Sequence, residues 1–176
     1  ITGPSDEGTG VYATGMGMVT MEEVRISEVG TGVWMKNGNL RMTRGSIEFK
    51  GDYGVSLTRG NALLKGVGIT GQDDKGTGVN VEGEGKMTMT DVNISGVITG
   101  VWVKNGANAI LMGGEIGFKG NYGVYLDKGG AVLKNVRMTY TGSSPTADFI
   151  KVRGGTVIAK DIIITSTTDN GQGVSV

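Results

Sequence analysis

Apolar and polar residues alternate in short runs along the whole chain, and the runs come in threes. One set is Val11-Tyr12-Ala13, Val19-Thr20-Met21 and Val24-Arg25-Ile26. A later one is Val79-Asn80-Val81, Met87-Thr88-Met89 and Val92-Asn93-Ile94. A period of two marks a strand with one buried face. Turn residues separate the runs, as in Lys36-Asn37-Gly38, Arg59-Gly60-Asn61 and Glu82-Gly83-Glu84-Gly85. The pattern predicts three short strands and three turns per unit.

The units repeat. A Gly-Val pair recurs at Gly10, Gly32, Gly54, Gly78, Gly100 and Gly123, at nearly constant intervals, and again at Gly173. Phe149-Ile150 stands in for the pair inside the wider gap before Gly173. Three units form a longer block: most of the stretch from Thr9 to Gly38 reappears between Thr77 and Gly106. Thus Gly32-Val33-Trp34-Met35-Lys36-Asn37-Gly38 returns as Gly100-Val101-Trp102-Val103-Lys104-Asn105-Gly106. After one inserted residue the copying resumes, pairing Phe49-Lys50-Gly51 with Phe118-Lys119-Gly120 and Tyr53-Gly54-Val55 with Tyr122-Gly123-Val124.

A period in the low twenties suits one coil of a solenoid and is too short for a helix pair. The expected fold is therefore all-β: a parallel β-helix of about seven coils, ~35 Å long at ~4.8 Å per coil. Residues 1–176 form one domain, with the duplication at about 9–76 and 77–145 and two further partial coils behind it. Ile1-Thr2-Gly3-Pro4 enters mid-pattern and Gly173–Val176 starts a unit without finishing it, so the chain is expected to be a segment of a longer solenoid with uncovered strand edges prone to end-to-end association.

The inward residues follow from the alternation. They are Val55, Leu57, Leu64, Val67 and Ile69 in the third coil, and Val124, Leu126, Leu133, Val136 and Met138 in the sixth. One stacked ladder is expected to contain Ile26, Phe49, Ile69, Ile94, Phe118 and Met138. The glycines before valine keep register, which points to corners needing positive φ or close backbone approach.

Composition narrows the chemistry. The 34 glycines disfavour helix, and only two prolines without a Gly-X-Y period exclude collagen. Seventeen basic residues balance seventeen acidic ones, so the basic footprint of a nucleic-acid binder and a polybasic membrane anchor are both missing. The chain has no histidine and no cysteine. That excludes His- or Cys-built zinc sites, the Ser-His-Asp triad, Cys-His nucleophiles and disulfides. No apolar run approaches the ~18 residues of a membrane span. No cofactor and no metal are expected.

Two stretches break the rhythm: Gly71–Gly76, holding Asp73, Asp74 and Lys75, and Tyr140–Asp148, holding Ser143, Ser144 and Pro145. Insertions in solenoids become surface loops, often on a binding face. Asp73-Asp74 offers carboxylates to calcium, but the Gly-Gly-x-Gly-x-Asp repeat is absent and Lys75 adjoins the pair, so a solvated loop is the favoured reading. A β-helix glycosidase or lyase needs clustered carboxylates, or basic residues with acidic metal ligands, on stacked strands. The outward third-strand row, taken as Arg25, Glu48, Gly68, Asn93, Gly117 and Arg137, contains no such pair.

The aromatic residues give the better signal. The residue after each Gly-Val points outward if the alternation holds: Tyr12, Trp34, Ser56, Asn80, Trp102 and Tyr125. Lys36 and Lys104 follow two positions after the tryptophans on the same face. Tyr and Trp beside cations dominate interface hot spots. The same rings also suit strand surfaces and stack along a ladder without any partner, and both readings stand at this point.

The Gly-Thr-Gly-Val openings, the Val-x-Ile-Ser stretches and the Lys-Asn-Gly turns resemble the passenger domains of Gram-negative type V autotransporters, and more narrowly those of Bartonella autotransporters. The resemblance covers essentially the whole chain but is one of repeat style. It implies a right-handed, pertactin-like β-helix that is secreted or displayed at the bacterial cell surface. It further implies adhesion to host cells, binding of host receptors or matrix (pro-angiogenic signalling in some members) and exposure to antibodies. No signal peptide, protease subdomain or translocator barrel is part of the match. The site residues expected on this reading are Tyr12, Trp34, Lys36, Trp102, Lys104 and Tyr125, with the two loops as further contacts. The alternatives are a polysaccharide lyase or hydrolase, and an inert structural stalk.

Overall fold

A computed structural model describes all of residues 1–176. Its sixteen strands form one continuous sheet, pair only in parallel, and include no helix among them. The expected solenoid is what the chain adopts. Along the first strands the register runs Tyr12, Trp34, Ser56, Asn80, Trp102, Tyr125, Lys151 and Ser175. That column has eight members against the about seven coils expected, because Gly173-Val174 opens a coil of its own. Val124 pairs with Ile150 and Ile150 with Val174, so Phe149-Ile150 does occupy the Gly-Val position.

One apolar core runs the length of the coil, built of 39 buried residues. All ten inward residues expected in the third and sixth coils are in it. No single coil encloses a core, so stability comes from stacking: each buried aliphatic side chain contributes roughly 1.5–3 kcal/mol once its neighbours cover it.

The third-strand ladder differs from the expected one. It reads Ile26, Ile47, Ile69, Ile94, Ile116, Met138 and Ile164. Phe49 and Phe118 lie two residues further on, where Phe49 pairs with Val29 and Gly71, and Phe118 with Val97 and Tyr140. A period of two cannot distinguish a position from the one two residues later, since both face inward. Ring volume settles it. A Cβ on Gly54 would lie 3.0 Å from the Phe49 ring, and one on Gly123 3.0 Å from the Phe118 ring, so the aromatics sit at the corner that a glycine leaves open.

The Gly-Val glycines serve close approach and not positive φ. At Gly54 a Cβ would press into Ile69 Cγ2 and lie 2.6 Å from the Gly78 carbonyl oxygen; at Gly100 it would press into Ile116 Cγ2. Left-handed backbone appears instead at other turns, among them the corner between second and third strands. There Arg44, Gly66, Asp91, Gly113, Asn135 and Asp161 all have φ between 52° and 69°.

Candidate functional site

The first-strand face carries the aromatic residues in two patches. Tyr12 and Trp34 are 52% and 37% exposed and pack edge to face, with ring centroids 5.5 Å apart. Lys36 Nζ hangs 5.5 Å from the Trp34 ring and 5.8 Å from the Tyr12 ring. It has no carboxylate partner, so this is an open aromatic pair under a free ammonium. Outward placement follows from the inward anchoring of Val33 and Met35 on either side of Trp34, both buried.

The second patch shares its tryptophan and lysine with the first by duplication but not its tyrosine: Asn80 stands where the first block has Tyr12, and Tyr125 where it has Ser56. Trp102 stacks on Tyr125 at 5.7 Å, and Tyr125 on Tyr122 at 4.6 Å. Lys104 Nζ stands 4.3 Å over the Trp102 ring and is held by Glu82 at 3.0 Å. The Thr58 hydroxyl donates to the same carboxylate at 3.3 Å. Arg153 joins at the far side: hydrogen bonding to Tyr125 and then the charge of Asp127, 3.7 Å away, raise its guanidinium above the ordinary value. Glu82 occupies the position that Thr14 holds in the first block, which is why Lys104 is tied down and Lys36 is not.

Tyr122, Glu82 and Arg153 are absent from the expectations. For Tyr122 a signal existed, since it copies Tyr53, and it lies in register with Thr99 and Asp148. Arg153 lies past the duplication, where no pattern marks it.

Ser56 and Asn80, expected to point outward, lie on that face but are 3% and 2% exposed. Asn80 Nδ2 donates to Ser56 Oγ at 3.1 Å. The Asn80 Oδ1 and Trp102 Nε1 atoms are buried with no hydrogen-bond partner. A recessed polar step thus separates the two patches, and the tryptophans stand three coils apart, or ~14 Å at ~4.8 Å per coil.

The loops are laid down more than extended. Asp74 is held by Lys119 at 2.7 Å, while Asp73 and Lys75 are exposed beside it. In the Tyr140–Asp148 excursion, Tyr140, Ala147 and Asp148 are buried, and the exposed residues are Thr141, Ser143, Pro145 and Thr146. Ser144 is half-buried because the Tyr140 hydroxyl accepts from its N–H at 2.6 Å and donates to its carbonyl at 3.1 Å.

The family profile for the right-handed β-helix region matches residues 4–157. The chain belongs to this family. No curated protein and no solved structure matches it significantly. Membership establishes the right-handed β-helix and leaves activity to be read from the sites, because the fold carries both polysaccharide-cleaving enzymes and non-enzymatic surface proteins.

This β-helix also corrects the third-strand row. The observed sequence of outward residues is Arg25, Ser46, Gly68, Asn93, Glu115 and Arg137, not one with Glu48 and Gly117 in it. The slip is the same two-residue ambiguity that displaced the phenylalanines. It brings Glu115 between Asn93 and Arg137, where Thr139 donates to it at 3.2 Å. With Asp91 and Asp161 on the adjoining corner, these residues line a recess of about 640 Å³.

Proposed function

We propose that this β-helix is part of an autotransporter passenger, secreted or displayed at the bacterial surface. In this reading it binds a host cell-surface receptor or matrix protein through its first-strand face and takes no part in catalysis. The observation that carries the reading is the pair of outward aromatic patches, each with a lysine poised over its indole. Tryptophan and tyrosine are enriched among the residues that anchor protein interfaces. A span of ~14 Å between tryptophans fits inside a standard footprint of about 800 Å² per partner. The repeat style described above points to the autotransporter class. The test is the double variant Trp34→Ser/Trp102→Ser, assayed for attachment to cultured host cells. The inward Val33, Met35, Val101 and Val103 keep the coil closed, and a loss above about 2 kcal/mol is expected. Unchanged attachment by a folded double variant overturns the aromatic face and leaves the loops at 71–76 and 140–148 as the contact sites.

A second reading rests on the polar recess. Asp91, Glu115 and Asp161 supply carboxylates, and Arg137 and the asparagines supply sugar-binding donors, as polysaccharide cleavage requires. Release of reducing ends from a polysaccharide panel, abolished by Glu115→Gln, would establish that reading and displace the first.

A further inference from the structure

The second-strand face differs from the other two in what it shows to solvent. Its central outward column runs Thr20, Arg41, Leu63, Thr88, Ile110, Val132 and Ile158. Leu63, Ile110, Val132 and Ile158 are 38%, 40%, 38% and 59% exposed. Ile110, Val132 and Ile158 are consecutive in this file and Leu63 lies beyond Thr88, so the file is an apolar stripe crossed by one threonine, and an exposed stripe of this kind is uncommon on a chain that stands alone in water. Two confluent troughs, of about 400 and 410 Å³, run beside it along the coil axis and share Lys86, Asn108 and Ile110.

The charge on this face is one-sided. Arg41, Lys65, Lys86, Lys134 and Lys160 all point outward in its three columns, and none of them makes an ion pair. The sole acidic residue of those columns, Glu22, is already paired with Arg44. Asp91 and Asp161 lie outside the face, on the corner that follows it. A chain with no net charge has thus collected five unpaired cations around an aliphatic stripe.

We propose that this face is a docking groove for an acidic amphipathic helix of a partner protein. The dimensions select that occupant. The outer columns are four residues apart, ~13 Å at ~3.3 Å per residue, which accommodates a helix about 10–12 Å across. From Leu63 to Ile158 is four coil steps, ~19 Å, the length of about 13 helical residues. Such a helix sets apolar residues at i, i+3, i+4 and i+7 into the troughs and carboxylates toward the lysines at the rims. A planar anionic bilayer would match the charge but leave the troughs unfilled.

The test uses a synthetic peptide of about 14 residues with leucine at those positions and glutamate flanking them, a second peptide with lysine in place of glutamate, and vesicles of phosphatidylcholine with phosphatidylserine. The glutamate peptide is expected to bind, more weakly as salt rises, and the lysine peptide is not. Ile110→Ser/Val132→Ser and Lys86→Glu/Lys134→Glu should each weaken binding at least about tenfold while the strand signal in circular dichroism is kept, since all four side chains point outward. Trp34→Ser/Trp102→Ser should bind the peptide as the parent does, which separates this groove from the aromatic face. The proposal is overturned if the two peptides bind equally, if neither binds at about 1 mM, if the folded variants bind unchanged, or if the vesicles bind and the glutamate peptide does not.

Discussion

At Gly54 the absence of a side chain is what lets two coils stack. An added Cβ would meet Ile69 Cγ2, the Gly78 carbonyl oxygen and the Phe49 ring at once, and the carbonyl belongs to the backbone of the next coil. Gly54→Ala is therefore expected to destabilise the protein by about 1–3 kcal/mol through overpacking, although its φ needs no glycine. Urea unfolding measures it, and an unchanged midpoint would show that the coil spacing yields. The two tryptophans differ in the opposite sense, being copies in sequence with unlike surroundings. Trp34 is exposed, whereas Trp102 is half-buried between Asn80, Tyr125 and Lys104. With Trp34→Phe the remaining emission should be bluer and less open to acrylamide quenching than with Trp102→Phe. Identical spectra would mean that the second patch is as open as the first.

Among the elements, the long excursion between the sixth and seventh coils shows how an insertion is anchored. Tyr140 follows Phe118 in the corner column, packs against it at 5.1 Å with the rings tilted by 43°, and closes the loop through Ser144. Tyr140→Phe keeps the ring and removes both hydrogen bonds, so a loss of about 1–2 kcal/mol is expected. The loop from 141 to 147 should then be cut sooner by a protease in limited digestion, and an unaltered cleavage rate would remove the hydroxyl from this role. Each long strand carries a similar division of labour. Its inward residues bind neighbouring coils together, and its outward ones face solvent.

Over the whole molecule, every strand pairs only with the coil before and the coil after it. Stability is then a sum of coil and nearest-neighbour terms, as in other solenoids. A core truncation should cost most where both neighbours cover the side chain. Ile69→Ala, at a residue with no exposure, is expected to cost about 2–5 kcal/mol. Ile164→Ala in the same ladder removes a side chain that is 45% exposed and should cost clearly less. Equal losses in denaturant unfolding would argue against nearest-neighbour additivity.

The repeat itself determined the architecture. Alternation with a period of two, reset at each Gly-Val pair from Gly10 to Gly123, leaves a parallel coil as the arrangement that buries Val55, Leu64 and Ile69 together. The outward placement of Tyr12, Trp34, Trp102 and Tyr125 was legible for the same reason, because parity decides which face a side chain takes. Register within a parity class was not. Phe49 against Ile47, and Glu48 against Ser46, are equivalent to a period of two, and backbone pairing together with ring volume at Gly54 separates them. Contacts between coils were also hidden: Glu82 with Lys104, Asp74 with Lys119, and Arg153 beside Tyr125 join residues far apart in sequence. The basic aliphatic groove needed the stack as well, since Leu63, Ile110, Val132 and Ile158 are single residues of separate repeats until winding sets them in one file.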